Sequence, residues 1–559
     1  MRLRAPLTVL LLSSTAAIAA YAPGTMIVDA IMVDITPEGF DAVVDVIPAL
    51  LPDQIDIPSQ ADDGGIYEYA LDNMSVSIGL TDAQIVPQYD YLDLDIDLEI
   101  AVSSSSSPFS IYYEILWVIS ETCSGYVNPF DANISAQIGL SVVDTDGDGI
   151  GELDATISNV SFDYDIDGAN DISISGCSVG YIEEALNFFG LSLFDLILDL
   201  AGPLLDSAIA GFIPDLEQTI EDAFADAYFS DTTDLNGVLL SYEIAPSDVI
   251  ITPDGLRLAL SGGLSTAEPA ACIEAYDPGG SLETPSDQPF IGEGPGHHAG
   301  IFLSDDFGNQ ALYSLWRGGL LCYTLTAEEI GFPIDTSILG LLAGDAFKDL
   351  FPSSKPLIIE TSPVIPPTLA FDGSHDIDLE LAELGLDFYG ELDYRQALIL
   401  GMDLDGAVGV DLDLDGVTGE LGILLDLSGE SLAATAARNE FVPEASAAIE
   451  DNFAGVFDSL VGGIVGGLLE DLSFPLPAIE GLGLTSLLLE PAGPDGDYLG
   501  AYASLGAVSY TSGGCGCGED PKKGDAGCDT GCATGGAPSK LGFLGMILSF
   551  AFLRRRQDD

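Results

Sequence analysis

From Tyr91 to Ile100 the chain alternates apolar and acidic residues without a break, with Leu92, Leu94, Ile96, Leu98 and Ile100 on one set of positions and Asp93, Asp95, Asp97 and Glu99 on the other. Side chains of a β-strand point to opposite faces with a period of two, so this run is a strand with one buried face and one row of carboxylates in water. A sheet with one wet face is characteristically antiparallel. The alternation returns at Phe162–Ile166, and in the second half of the chain at Asp376–Leu381 and Val410–Leu414. Each half therefore contributes an extended or strongly curved antiparallel sheet.

Each sheet region is followed by apolar residues at helical spacing. In the first half these are Leu186, Phe189, Leu193, Leu196, Leu200 and Leu204, in a run bent or broken by Pro203 and Pro214. In the second half they are Ile449, Phe453, Phe457, Leu460, Ile464 and Leu468. After each helix comes a hairpin built on the same tripeptide, Pro253-Asp254-Gly255 and Pro494-Asp495-Gly496. Pro presets the entry φ of such a turn and Gly supplies a positive φ. The order helix, strands, long helix, strand, turn, strand thus occurs twice.

In that order the chain resembles the bactericidal/permeability-increasing and lipopolysaccharide-binding protein family, within the TULIP superfamily of tubular lipid-binding folds. The resemblance runs from about Thr25 to Thr511 and rests on four features. These are the helix candidate Phe40–Ile47 with its exit through Ile55-Asp56-Ile57-Pro58, the segment Asn309–Leu321 that looks like the family's second-domain opening helix, the run Leu472–Ile479 after the late helix, and a cysteine pair in the first barrel. The resemblance implies an α+β fold of two barrels, each a twisted antiparallel sheet wrapped around a long helix, in a boomerang arrangement. It implies an N-terminal barrel over 23–262 and a C-terminal barrel over 263–511, with acyl chains held in apolar tunnels. The residues expected to face lipid are Leu193, Ile197, Phe453 and Phe457. One departure is electrostatic, because the exposed Lys and Arg with which family members capture lipopolysaccharide have no counterpart at the tip of the first barrel.

Both termini indicate export. Arg2 and Arg4 precede an apolar stretch and the small residues Ala17-Ile18-Ala19, so residues 1–19 read as a signal peptide. At the other end, 512–540 is a Cys/Gly-rich linker with Cys515, Cys517, Cys528 and Cys532, and 541–559 is a short apolar run closed by Arg554-Arg555-Arg556. The apolar run would span only about 20 Å as a helix, against roughly 30 Å of hydrocarbon, which suits a transient signal better than a permanent anchor. Cys532, its Gly/Pro spacer, the apolar tail and the Arg stop resemble the MYXO-CTERM sorting signal of myxobacteria-like Gram-negative bacteria. That resemblance implies cleavage by a sorting protease, attachment at the outer face of the outer membrane and contact with the membrane through the tail. Cys532 is the best match to the processed residue, with three other cysteines preceding it.

Charge narrows the partners. The formal net charge is −77, and of the 14 Lys and Arg residues Arg2, Arg4, Lys522, Lys523, Lys540, Arg554, Arg555 and Arg556 lie in or beside the terminal signals. A surface of that sign repels phosphate backbones and anionic headgroups, which excludes nucleic acid as a partner. In an oxidising compartment Cys123 with Cys177, and Cys272 with Cys322, are expected to be disulfides. Calcium is the one candidate cofactor, at Asp144, Asp146, Asp148, Ile150 and Glu152, where carboxylates alternate around Gly149 as in a calcium loop. Ala155 stands where an EF-hand would place its bidentate Glu, and a plain Asp/Gly hairpin tip accounts for the same residues. Asp411, Asp413 and Asp415 continue a strand pattern instead. His297 and His298 fall in a Gly/Pro/Asp-rich insertion that reads as a solvated loop, no Gly-x-Ser-x-Gly elbow occurs, and no acid/base pair stands out among so many carboxylates, so no enzymatic activity is expected. Two functions remain: a surface-anchored lipid-binding protein, or a calcium-braced structural or adhesive protein with barrels filled by side chains.

Overall fold

The alternating runs become the longest strands. The computed structural model describes residues 20–44, 54–57, 59–63, 67–115, 119–144, 147, 150–164, 171–176, 228–235, 237–284, 286–327, 334–371, 375–415, 420–426, 432–456, 473–475 and 482–507. Among these, strand is the dominant structure, arranged in three larger antiparallel sheets. Leu92–Val102 shows the burial alternation its sequence dictates, apolar residues inward and acids outward. It pairs with the 25-residue strand Ile119–Val143, which also pairs with Phe109–Ile115, Glu152–Tyr164 and Ile172–Ser175. Register shifts at Leu80/Asp82, Ile100/Val102 and Ser158/Ser161 mark bulges, which increase local twist and help curl this nine-stranded sheet into a half-barrel.

The second half has its own eight-stranded sheet, dominated by the hairpin of Ile377–Leu392 with Arg395–Asp415. Asp411, Asp413 and Asp415 lie within that second strand, as the alternation required.

A seven-stranded sheet joins the halves and realises the repeat seen in the sequence. Ile27–Ile35 and Ala299–Ser304 pair antiparallel, with Met32 opposite Phe302. Outward from that pair, Ile27–Ile35 meets Gly255–Thr266 and then Val238–Thr252, while Ala299–Ser304 meets Tyr498–Ala507 and then Leu482–Ala492. The two Pro-Asp-Gly turns close these outer hairpins, Gly255 at φ 144 and Gly496 at φ 76. Proline obeys the sheet rules: Pro246 sits at a bulge and Pro491 on an edge strand, where no ladder N–H is lost. The strand Gly255–Thr266 runs through the point where the sequence divides into halves, so the central sheet belongs to both.

Each innermost strand leads into a helix. Pro37–Val44 follows the first and Asp305–Arg317 the second. The second starts upstream of the expected Asn309–Leu321 because Ser304 caps it, its hydroxyl accepting from the Asp306 N–H at 3.2 Å, and it ends before Gly319, whose φ of 89 few other residues tolerate. Gln310 on this helix accepts from the Leu264 N–H (2.7 Å) and donates to the Thr25 carbonyl (3.0 Å), fastening the helix to two neighbouring strands at one end of the central sheet. Residues 446–456 are also helical, at the start of the late helix read from the sequence. The expected first-half helix over 182–227 lies outside the described residues, and no described helix is long and apolar enough to cross a membrane.

The Cys272–Cys322 disulfide forms as expected, with sulfurs 1.98 Å apart. Cys123 is also disulfide-bonded, and its expected partner Cys177 lies outside the described residues.

Candidate functional site

The inner face of the first-half sheet is a continuous apolar surface. Leu92, Leu94, Ile96, Leu98, Ile100 and Val102 point into it from one strand, and Val127, Phe130, Ala132, Ala136 and Ile138 from the next. Phe40 from the Pro37–Val44 helix and Ile251 and Leu256 from the Pro-Asp-Gly hairpin join the same cluster, where this sheet meets the central one. Each fully buried Leu or Ile side chain here is worth about 1.5–3 kcal/mol.

The opposite face is polar. Asn133 donates to Asp95 (2.6 Å) and Asp97 (2.8 Å), and Gln137 donates to Asp93 at 3.3 Å, so amides spaced along the neighbouring strand separate like charges. A cleft of about 540 Å³ on this side is lined by Thr81, Asp97, Asp131, Asn133, Asp163 and Tyr164 among others. Its carboxylates and amide share the lining with Leu98, Ala132 and the Tyr164 ring.

In the second half, Phe453 is 4% exposed and lies in a cluster with Ile449, Ile338, Leu339, Leu342, Phe388, Leu400 and Met402. This end of the second sheet is filled by side chains, with the Ser337–Ala343 helix contributing three of them. The other residues expected to face lipid, Leu193, Ile197 and Phe457, lie outside the described residues.

The Asp144 loop is described in part. Asp144 accepts from the Gly147 N–H at 2.6 Å, an Asx-type turn that tightens the hairpin, and Glu152 starts the returning strand. Asp146 and Asp148 lie outside the described residues. Gly151 next to this loop approaches the Pro246 bulge so closely that a Cβ would meet the Pro246 carbonyl oxygen at 2.3 Å. Among the described residues no group of three or more His, Cys, Asp or Glu is arranged to hold a metal.

His297 requires a correction. The Gly/Pro-rich insertion suggests a solvated loop, yet His297 is 4% exposed, its ring 4.9 Å from that of Tyr502 and its Nδ1–H donating to the Pro295 carbonyl at 2.5 Å. The cause is the insertion's path across the central sheet. His298 is engaged separately, its Nδ1 accepting from the Leu505 N–H at 3.0 Å, so the two histidines do not form one site.

The same region holds an ion pair that local sequence patterns do not reveal. Arg257 grips Asp34 with two bonds of 2.7 Å, donates to the Pro289 carbonyl at 2.6 Å and lies over the Phe302 ring. Its one sequence signal is isolation: no Lys or Arg occurs between Arg4 and Arg257.

A second buried polar cluster sits at the start of the Asp305–Arg317 helix. Asp305 accepts from the Thr284 hydroxyl at 2.8 Å, and its other oxygen is buried without a hydrogen bond. Burial, followed by the charges of Asp306 and Asp497, pushes its carboxyl up to about 6. A carboxyl whose folded value is raised stabilises the native state fully below its unfolded value near 4, and that contribution is lost as pH rises through the folded value. Asp305→Asn, which retains an acceptor for Thr284, is therefore expected to raise the denaturation midpoint at pH 7 and to flatten its decline between pH 4 and 7. An unchanged pH profile in the variant would show that Asp305 does not set it.

No family model and no curated protein matches the sequence. Among solved structures, lipopolysaccharide binding protein aligns with a TM-score of 0.51 at 13% identity, over 86% of this chain and 99% of that one. This chain has a TULIP-like fold. P47 of Clostridium botulinum E1 (TM-score 0.22, 10% identity, 87% of this chain and 100% of that one) and Takeout 1 of Epiphyas postvittana (0.21, 11%, 32% and 88%) also match, at scores that carry no weight for the fold.

Proposed function

We propose that the protein is an exported, surface-anchored, non-enzymatic lipid-binding protein that shuttles or stores envelope lipids. Its two sheets would each complete a barrel, set in a boomerang about the central sheet. The observation that supports this most directly is the unbroken apolar inner face of the first-half sheet, backed by a carboxylate row, within a fold like that of lipopolysaccharide binding protein. Sheltering an acyl chain there gains about 0.8 kcal/mol per buried methylene. In this reading Leu193, Ile197 and Phe457 lie along the acyl chains, and the packed cluster around Phe453 closes one end of the second-half surface. Organic extraction and mass spectrometry of the purified ectodomain are expected to recover lipid in stoichiometric amount. A lipid-free extract, together with failure to take up any added lipid, would favour side-chain-filled barrels and a structural role braced by calcium at Asp144–Glu152.

Anchoring is part of the same proposal. Cys532 stands just before the short apolar tail and the Arg stop, so Cys532→Ala is expected to leave the precursor uncut and off the cell surface, as read by surface labelling and by precursor mass. Loss of display on altering Cys515 or Cys517 instead would move the processed site upstream.

A further inference from the structure

We propose that the lipid held by the first half carries no anionic group and presents an uncharged head of hydroxyls or esters. This rests on the lipid-binding reading above and adds the chemistry of the head. No Lys, Arg or His occurs between Arg4 and Arg257, a span that contains every strand of the first-half sheet and the whole stretch 177–227 that follows it. Whatever opening that half presents, its own residues can ring it only with neutral groups and carboxylates.

Cations from elsewhere in the fold are committed or distant. Arg257 is 2% exposed and held by Asp34 and the Pro289 carbonyl. Arg317 is bound to Asp277 (3.0 Å) and to the Thr266 carbonyl (2.6 Å), Arg438 to Asp387 (2.9 Å), and Lys348 to Asp345. His297 and His298 are engaged with backbone atoms, and His375, in the second half, pairs with Asp411 (3.1 Å). Lys355 and Arg395 are exposed, but they belong to the second half. The pairing of Leu357 with Gly390 and of Leu392 with Arg395 puts both at the turn end of the Ile377–Leu392 hairpin. The remaining basic residues up to the tail signals are Lys522, Lys523 and Lys540, in the linker beyond the second half. A phosphate or carboxylate head in the first half would therefore lose water without gaining a counter-charge, in a half whose charged side chains short of Arg257 are all carboxylates. Hydroxyl and ester groups carry no such penalty.

The test uses the delipidated ectodomain with two probes of identical acyl chains, dioleoylglycerol and dioleoylphosphatidylglycerol, in EDTA and low salt, with bound lipid read by native mass spectrometry. The glyceride is expected to be taken up in at least about tenfold excess, with the ratio narrowing in high salt as repulsion is screened. Phosphatidylglycerol bound through the second half is recognised with Lys348→Gln/Lys355→Gln/Arg395→Gln, three exposed changes that should abolish it. Phosphatidylglycerol uptake that equals glyceride uptake and survives in that variant overturns the headgroup assignment and leaves lipid binding intact. Uptake of neither probe overturns lipid binding itself, and the headgroup assignment with it.

Discussion

Arg257→Met is expected to destabilise the protein by about 3–5 kcal/mol, because it strands the Asp34 carboxylate in the middle of the central sheet. Asp34 is fully buried, and Arg257 stands directly opposite it on the neighbouring strand. Burial raises the Asp34 carboxyl even with the guanidinium beside it, so desolvation outweighs the attraction within the pair. Such a pair adds little to stability relative to well-packed apolar residues, yet breaking it is costly. Asp34→Leu combined with Arg257→Met should accordingly recover most of the loss. Chemical denaturation of the two single variants and the double variant measures this. A double variant as unstable as Arg257→Met would show that the guanidinium acts mainly through its bond to the Pro289 carbonyl, which fastens the insertion over the sheet.

The contrast between this pair and the strands around it explains what the sequence reveals. Leu92–Val102 was legible because water on one face forces a period of two onto the residues themselves. Gly255–Thr266 is buried on both faces for most of its length, so the period of two is kept only by Leu256, Leu258 and Leu260, and the Pro-Asp-Gly turn before them marks the strand. Asp34 and Arg257 are 223 residues apart, and His297 is buried by Tyr502 from the far end of the chain. Neither contact leaves a local pattern. The repeat of helix, strands and hairpin was legible because both halves use the same turn chemistry, and the pairing of Ile27–Ile35 with Ala299–Ser304 is its structural counterpart. The candidate site divides in the same way. Its sheet wall follows from alternation, whereas which atoms fill the space against that wall depends on contacts between distant segments.

Phe453 is the residue at which that last question can be put to a measurement. Phe453→Ala removes a nearly fully buried ring from the cluster shared with Ile338, Leu339 and Leu342, and is expected to cost about 3–5 kcal/mol in the lipid-free protein. Part of that cost is the cavity left behind, since the surrounding side chains collapse only partially. If the cluster forms the closed end of an acyl-chain surface, the new cavity extends it, and a longer chain can fill space that the wild-type protein keeps for the ring. Lipid binds the folded state and not the unfolded one, so its stabilising increment follows its affinity. The increment is therefore expected to be larger in Phe453→Ala than in the wild type for a long-chain lipid, and no larger for a short-chain one. Denaturation midpoints of both proteins, lipid-free and loaded with each chain length, supply the comparison. Equal increments at every chain length would separate Phe453 from the ligand and leave it a purely structural part of the second-half core.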